Sequence, residues 1–139
     1  MEYTFKSSFA REFLKVLNAT GLGKLISVQE NTASDTLIVD IGPLEIPQYP
    51  VNPVKVFERV SIIAIDDYIP IVSCRKDFPL VPHLNVLPDG EKTLCLFDVS
   101  FNEIQYAFNA SCFLNRIVAW FELTARGKLH QPDQPLEPY

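Results

Sequence analysis

Residues 77–90 constrain the fold more than any other part of the chain. The run Asp77-Phe78-Pro79-Leu80-Val81-Pro82-His83-Leu84-Asn85-Val86-Leu87-Pro88-Asp89-Gly90 is broken by three prolines and ends in an Asp-Gly turn. Proline lacks the N–H that a helix or a ladder needs, so a helix is excluded here and irregular backbone is expected. The same stretch is rich in apolar side chains, which predicts a loop packed down onto the body of the protein. It also divides the chain, with strand-like segments before it and a helical region after it. Helix, antiparallel strands, packed loop, then helices: this order predicts an α+β fold with the helices to one side of a sheet.

Residues 8–21 read as the first helix, with Ser8 as N-cap and Gly21 as a left-handed stop. Phe9, Phe13, Val16, Leu17 and Thr20 recur at spacings of three and four and define its buried face. Residues 24–30, with Ile26 and Val28 alternating, and the β-branched residues 35–41 read as strands joined by a polar loop. Pro47, Pro50 and Pro53 then interrupt the regular pattern. A long strand is expected over 54–65, a shorter one over 70–74 and a brief extended run over 93–97. Residues 102–125 read as helix, as one or as two with a break near Asn109, with Phe113, Ile117, Trp120, Phe121 and Thr124 as the apolar stripe. The chain is expected to form a single domain over 1–139, with 128–139 as an extended proline-rich tail.

Composition narrows the function classes. A net charge of −5 with scattered basic residues argues against a nucleic-acid partner, because neutralising phosphates takes clustered Lys and Arg. No apolar run approaches the ~20 residues of a membrane helix, and Met1-Glu2-Tyr3-Thr4-Phe5-Lys6 lacks the basic start of a signal peptide. Cys74, Cys95 and Cys112 are odd in number and have no CxxC spacing, so neither a disulfide scaffold nor a thiol-rich zinc site is expected. A reducing cytoplasm fits that usage.

Cys95 is the leading candidate for chemistry. Within Leu94-Cys95-Leu96 it reads as core when taken alone, but it lies at the exit of a loop presenting His83 and Asn85 and follows the Asp89-Gly90 turn. A thiol so placed can form covalent acyl intermediates. Asn85 either stabilises the loop or donates its amide N–H to an oxyanion. His83 reads as a structural hydrogen-bonder that fixes the loop; as a base for Cys95 it would imply a peptidase, and no peptidase signature surrounds the cysteine. A zinc site of His83, Cys95 and a third ligand has unconvincing spacing. Cys74 and Cys112 read as packing residues. Asp98 or Glu103 is a further candidate, to position an incoming amine. No Gly-rich phosphate loop is present, so no nucleotide cofactor is expected.

These residues resemble a family. His83-Leu84-Asn85, Gly90 and Leu94-Cys95-Leu96 look like the His-Pro-Asn, Gly and Ile/Leu-Cys-Leu pattern of ubiquitin-conjugating enzymes. Tyr49-Pro50 with Pro53-Val54-Lys55-Val56 is similar to the segment preceding that pattern. Arg75-Lys76-Asp77-Phe78-Pro79, Leu94-Cys95-Leu96-Phe97-Asp98 and the segments from Trp120 to Pro138 resemble a prokaryotic branch found in bacterial anti-phage (CBASS-type) operons. Leu84 stands where the usual proline would be, and the tryptophan that the eukaryotic enzymes carry soon after the cysteine is missing from 97–106.

The resemblance implies a ubiquitin-conjugating-enzyme-like fold: an antiparallel meander sheet with an N-terminal helix and C-terminal helices. It implies a transferase that holds a protein C-terminus as a thioester on Cys95, with Asn85 and His83 in the site, and passes it to a target lysine. The acyl donor would be a cGAS-like nucleotidyltransferase or a ubiquitin-like protein, loaded by an activating enzyme in cis or in trans. Two other readings stand beside it. A catalytically inactive binding module for such a partner would bury an unreactive Cys95. A cysteine hydrolase would need a base within hydrogen-bond reach.

Overall fold

The computed structural model describes residues 5, 7–32, 34–65, 68–81, 84–96 and 109–128. Its elements are helix α1 (Ser8–Thr20), strands β1 (Gly23–Glu30), β2 (Asp35–Ile41), β3 (Glu58–Ala64), β4 (Ile71–Ser73), β5 (Leu84–Val86) and β6 (Lys92–Leu94), and helix α2 (Ala110–Ala125). The six strands form one antiparallel sheet in the order β1-β2-β3-β4-β6-β5. Sheet, N-terminal helix and C-terminal helix together are compatible with the expected α+β architecture. Residues 102–108 of the expected helical region and the tail from 129 lie outside the described residues.

α1 forms where the apolar spacing places it, with Ala10, Phe13 and Leu17 buried and Phe9 and Val16 half-buried; Thr20 is exposed. Its N-cap is Ser7, not Ser8. The Ser7 hydroxyl accepts the Ala10 N–H, and the Ser7 N–H donates to the Asp35 carboxylate at 2.8 Å. A contact with β2 therefore chooses between two adjacent serines. Gly21 ends the helix at φ 70°, its N–H donating to the Leu17 carbonyl.

β2 and β3 are half-buried in strict alternation. Leu37, Val39 and Ile41 stand opposite Ile62, Val60 and Glu58, and all six are at most 2% exposed. β1 departs from the expected alternation. The register slips between Leu25 and Ser27, making Ile26 a bulge residue that is 37% exposed. Leu25 and Val28, three residues apart, both pack against the core as a result. β3 begins at Glu58, later than the sequence pattern suggests. Val56 spends its carbonyl on the Leu44 N–H and Lys55 its N–H on the Glu58 carboxylate, so neither pair of groups serves a ladder.

α2 follows Asn109, near which the sequence left open one helix or a break between two; the Asn109 side chain caps it by accepting the Cys112 N–H at 2.8 Å. Phe113, Ile117, Trp120, Phe121 and Thr124 are all buried, as the stripe predicts. Phe113 meets Phe13 and Phe9 edge-on and so joins the two helices. No helix among the described residues is long and apolar enough to cross a membrane.

Candidate active site

The site is built outward from the end of β4. Phe78 is 1% exposed and packs against Trp120 and Phe121, with ring centroids 5.8 and 5.7 Å apart. This anchors the start of the proline-broken segment to α2. Arg75, in the same turn, lies over the Phe78 ring at 5.1 Å. Its guanidinium donates to both carboxylate oxygens of the fully buried Glu58, at 3.0 and 3.2 Å, to the Pro53 carbonyl at 2.8 Å, and pairs with the exposed Asp77 at 3.1 Å. Burial works against the Arg75 charge, but its hydrogen bonds to Glu58 and Asp77 outweigh this and raise its pKa. The same bond holds the Asp77 carboxyl below its ordinary value. One guanidinium thus joins the 53–55 segment, β3 and the turn after β4.

Beyond this turn the expectations need two corrections. Residues 77–90 are not irregular throughout, because Leu84–Val86 form β5 and pair with β6. The two strands make a hairpin closed by the Asp-Gly turn. The Leu87 N–H donates to the Glu91 carbonyl, the Gly90 N–H to the Leu87 carbonyl, and the Glu91 N–H to the Asp89 carboxylate. Gly90 adopts φ 88°, which explains glycine at this corner. Nor is the segment uniformly packed down: Phe78 is buried, but Leu80 is 74% and Val86 55% exposed.

Asn85 is exposed and stands opposite Thr93. Cys95 follows the last residue of β6, two residues after Thr93, and so lies just past the end of the ladder that pairs Asn85 with Thr93. Its flanking residues Leu94 and Leu96 are buried, while Cys95 itself is partly exposed. His83, Asp98 and Glu103 lie outside the described residues.

The other thiols differ. Cys74 is buried, its N–H and its thiol both donate to the Lys92 carbonyl, and desolvation pushes its pKa up to about 11. That makes it a poor thiolate source at neutral pH. Cys112 is partly buried in the first turn of α2. Among the described residues no group of three His, Cys, Asp or Glu could hold a metal ion.

Nothing in the sequence alone assigns a role to Glu58, Arg75 or Lys92, which tie the turn after β4 to β3 and to β6. Their pairings bridge segments far apart in the chain, and no local spacing signals them. No curated protein and no solved structure shows significant similarity to the chain. Residues 9–139 match the family described as Prokaryotic E2 family A, and the chain belongs to that family.

Proposed function

We propose that this protein is a ubiquitin-conjugating-like acyl transferase with Cys95 as its thioester-bearing nucleophile. Membership of the prokaryotic conjugating-enzyme-like family points to group transfer of this class. The observation that carries the residue assignment is the partly exposed Cys95 at the exit of the β5–β6 hairpin, whose other strand carries the exposed Asn85.

In the first step the Cys95 thiolate attacks the carbonyl carbon of an activated C-terminal acyl group. The carbonyl oxygen takes the negative charge, the donor's leaving group departs, and a thioester to Cys95 remains. In the second step a neutral lysine amine attacks that carbonyl. The C–S bond breaks, Cys95 leaves as thiolate, and the ammonium nitrogen loses a proton to give the amide. Sulfur suits this role as a good nucleophile and a good leaving group; a serine ester would release its acyl group less readily. The Asn85 amide N–H stabilises the oxyanion or holds the loop, and His83 fixes the loop's shape.

The resemblance of residues 75–98 and 120–138 to proteins of anti-phage operons supports a narrower reading. The acyl donor is then the C-terminus of a cGAS-like nucleotidyltransferase or a ubiquitin-like protein, delivered by an activating enzyme. Purification from the native host without reductant tests this. A protein adduct that vanishes with dithiothreitol and is missing from Cys95→Ala is expected, and an adduct that survives in Cys95→Ala contradicts the assignment.

A further inference from the structure

We infer that Lys92 is a positioning residue for the Cys95 site; this rests on the thioester reading above. Lys92 opens β6, three residues before Cys95, and pairs with Val86 on β5. Its ammonium donates to the carbonyl of Lys76 at 2.7 Å and to that of Phe78 at 2.6 Å. Its own carbonyl accepts the N–H of Cys74 at 3.0 Å. One residue is therefore tied to the end of β4, to the turn after it, and to the strand carrying Asn85.

The two ammonium bonds are charge-assisted, which makes them short and strong compared with neutral ones. They join parts of the chain that the site needs in register. The 76–78 turn is anchored to α2 through Phe78, and β6 delivers Cys95. β4 and β6 share a single register pair, Ser73 with Thr93, so the backbone ladder alone holds this junction weakly. Lys92 supplies the missing rigidity. It fixes where the hairpin, and with it Cys95, stands relative to the 76–78 turn and the α2 cluster beneath it. A surface lysine would leave its ammonium in water; this one is held against two backbone carbonyls.

The test uses the full chain and its Lys92→Met and Lys92→Arg variants. Methionine keeps the apolar stem and removes the donors; arginine keeps the charge and several N–H groups. Each protein is charged with a peptide thioester ending in glycine, and single-turnover transfer to free lysine is followed by mass. Displacing a reacting group by about 1 Å costs roughly 100-fold in rate, so Lys92→Met is expected to slow transfer by about 10–100-fold with the extent of loading little changed. Lys92→Arg is expected to recover most of the rate.

Site-resolved alkylation by iodoacetamide across pH is the second readout and needs no acyl group. The Cys95 profile is expected to move in Lys92→Met while Cys74 stays protected and Cys112 is unaffected. Identical Cys95 profiles and transfer rates in wild type and Lys92→Met overturn the inference. So does loss of rate accompanied by alkylation of Cys74, which means local unfolding. A wild-type protein that takes no acyl group on Cys95 refutes the thioester reading instead, and the alkylation profiles still judge Lys92.

Discussion

At the scale of single residues, burial separates the three thiols. Cys95 lies between two leucines and Cys74 between Ser73 and Arg75, so the immediate neighbours alone suggest the reverse of the burial observed. Position in the fold decides it: Cys74 lies under β6 and Cys95 beyond its end. Iodoacetamide at neutral pH is therefore expected to modify Cys95 well ahead of Cys74, read by peptide mass. Cys74 also carries a pH signature. Its folded pKa of about 11 exceeds the 9.0 of an ordinary thiol, so the unfolded chain loses this proton first. The stability tied to the neutral thiol is full below pH 9.0 and is lost as pH rises toward 11. Paired denaturation curves over that range are expected to fall less steeply for Cys74→Ala than for wild type. Glu58 is the other decisive residue. Arg75→Met leaves its carboxylate buried without its cation, a change that costs about 3–5 kcal/mol in comparable pairs and is measurable by urea unfolding. Asn85→Ala, on an exposed strand, is expected to leave stability nearly unchanged. It should slow acyl transfer by about 10²–10³, with a smaller effect on loading.

At the scale of elements, the long patterns were legible and the short ones were not. α1, β2 and the α2 stripe each repeat one signal over at least two turns or three inward positions, and each forms where the spacing puts it. The sequence left open one helix over 102–125 or two with a break near Asn109; in the structure Asn109 caps α2. The failures have tertiary causes. Ser7 displaces Ser8 as the cap through its bond to Asp35, and the Ile26 bulge inverts the facing of half of β1. β5 is three residues long and lies between prolines, too short to show an alternation; only its pairing with β6 reveals it. Cys95 and Asn85 could therefore be picked out by residue type and order, but their placement at one hairpin could not. The C-terminal end of α2 offers a check on how tightly the elements fit. Gly127 adopts φ 69°, and a Cβ there would lie 2.8 Å from a methyl of Val51, whose N–H donates to the Ala125 carbonyl. Gly127→Ala is expected to lower stability by at least ~1 kcal/mol in thermal melts, the usual cost of a side chain at positive φ with crowding added.

At the scale of the whole molecule, the sheet and the two helices among the described residues form a scaffold for the hairpin that carries the candidate chemistry. The α2 aromatic cluster grips the turn after β4, Arg75 and Glu58 tie that turn to β3, and Lys92 ties it to β6. All three tethers meet at the turn after β4, and Lys92 carries the connection on to the hairpin that bears Asn85. A turn held from β3, β6 and α2 gives the adjacent hairpin a fixed base, which suits a site that must hold its geometry while a large acyl group is attached and removed. The account depends above all on Cys95 accepting an acyl group from another thioester. The most direct measurement mixes the purified chain with a peptide thioester ending in glycine at neutral pH, followed by intact mass and peptide mapping. The account predicts a single adduct on Cys95, released by hydroxylamine and absent from Cys95→Ala. No adduct, or the same adduct in Cys95→Ala, contradicts it.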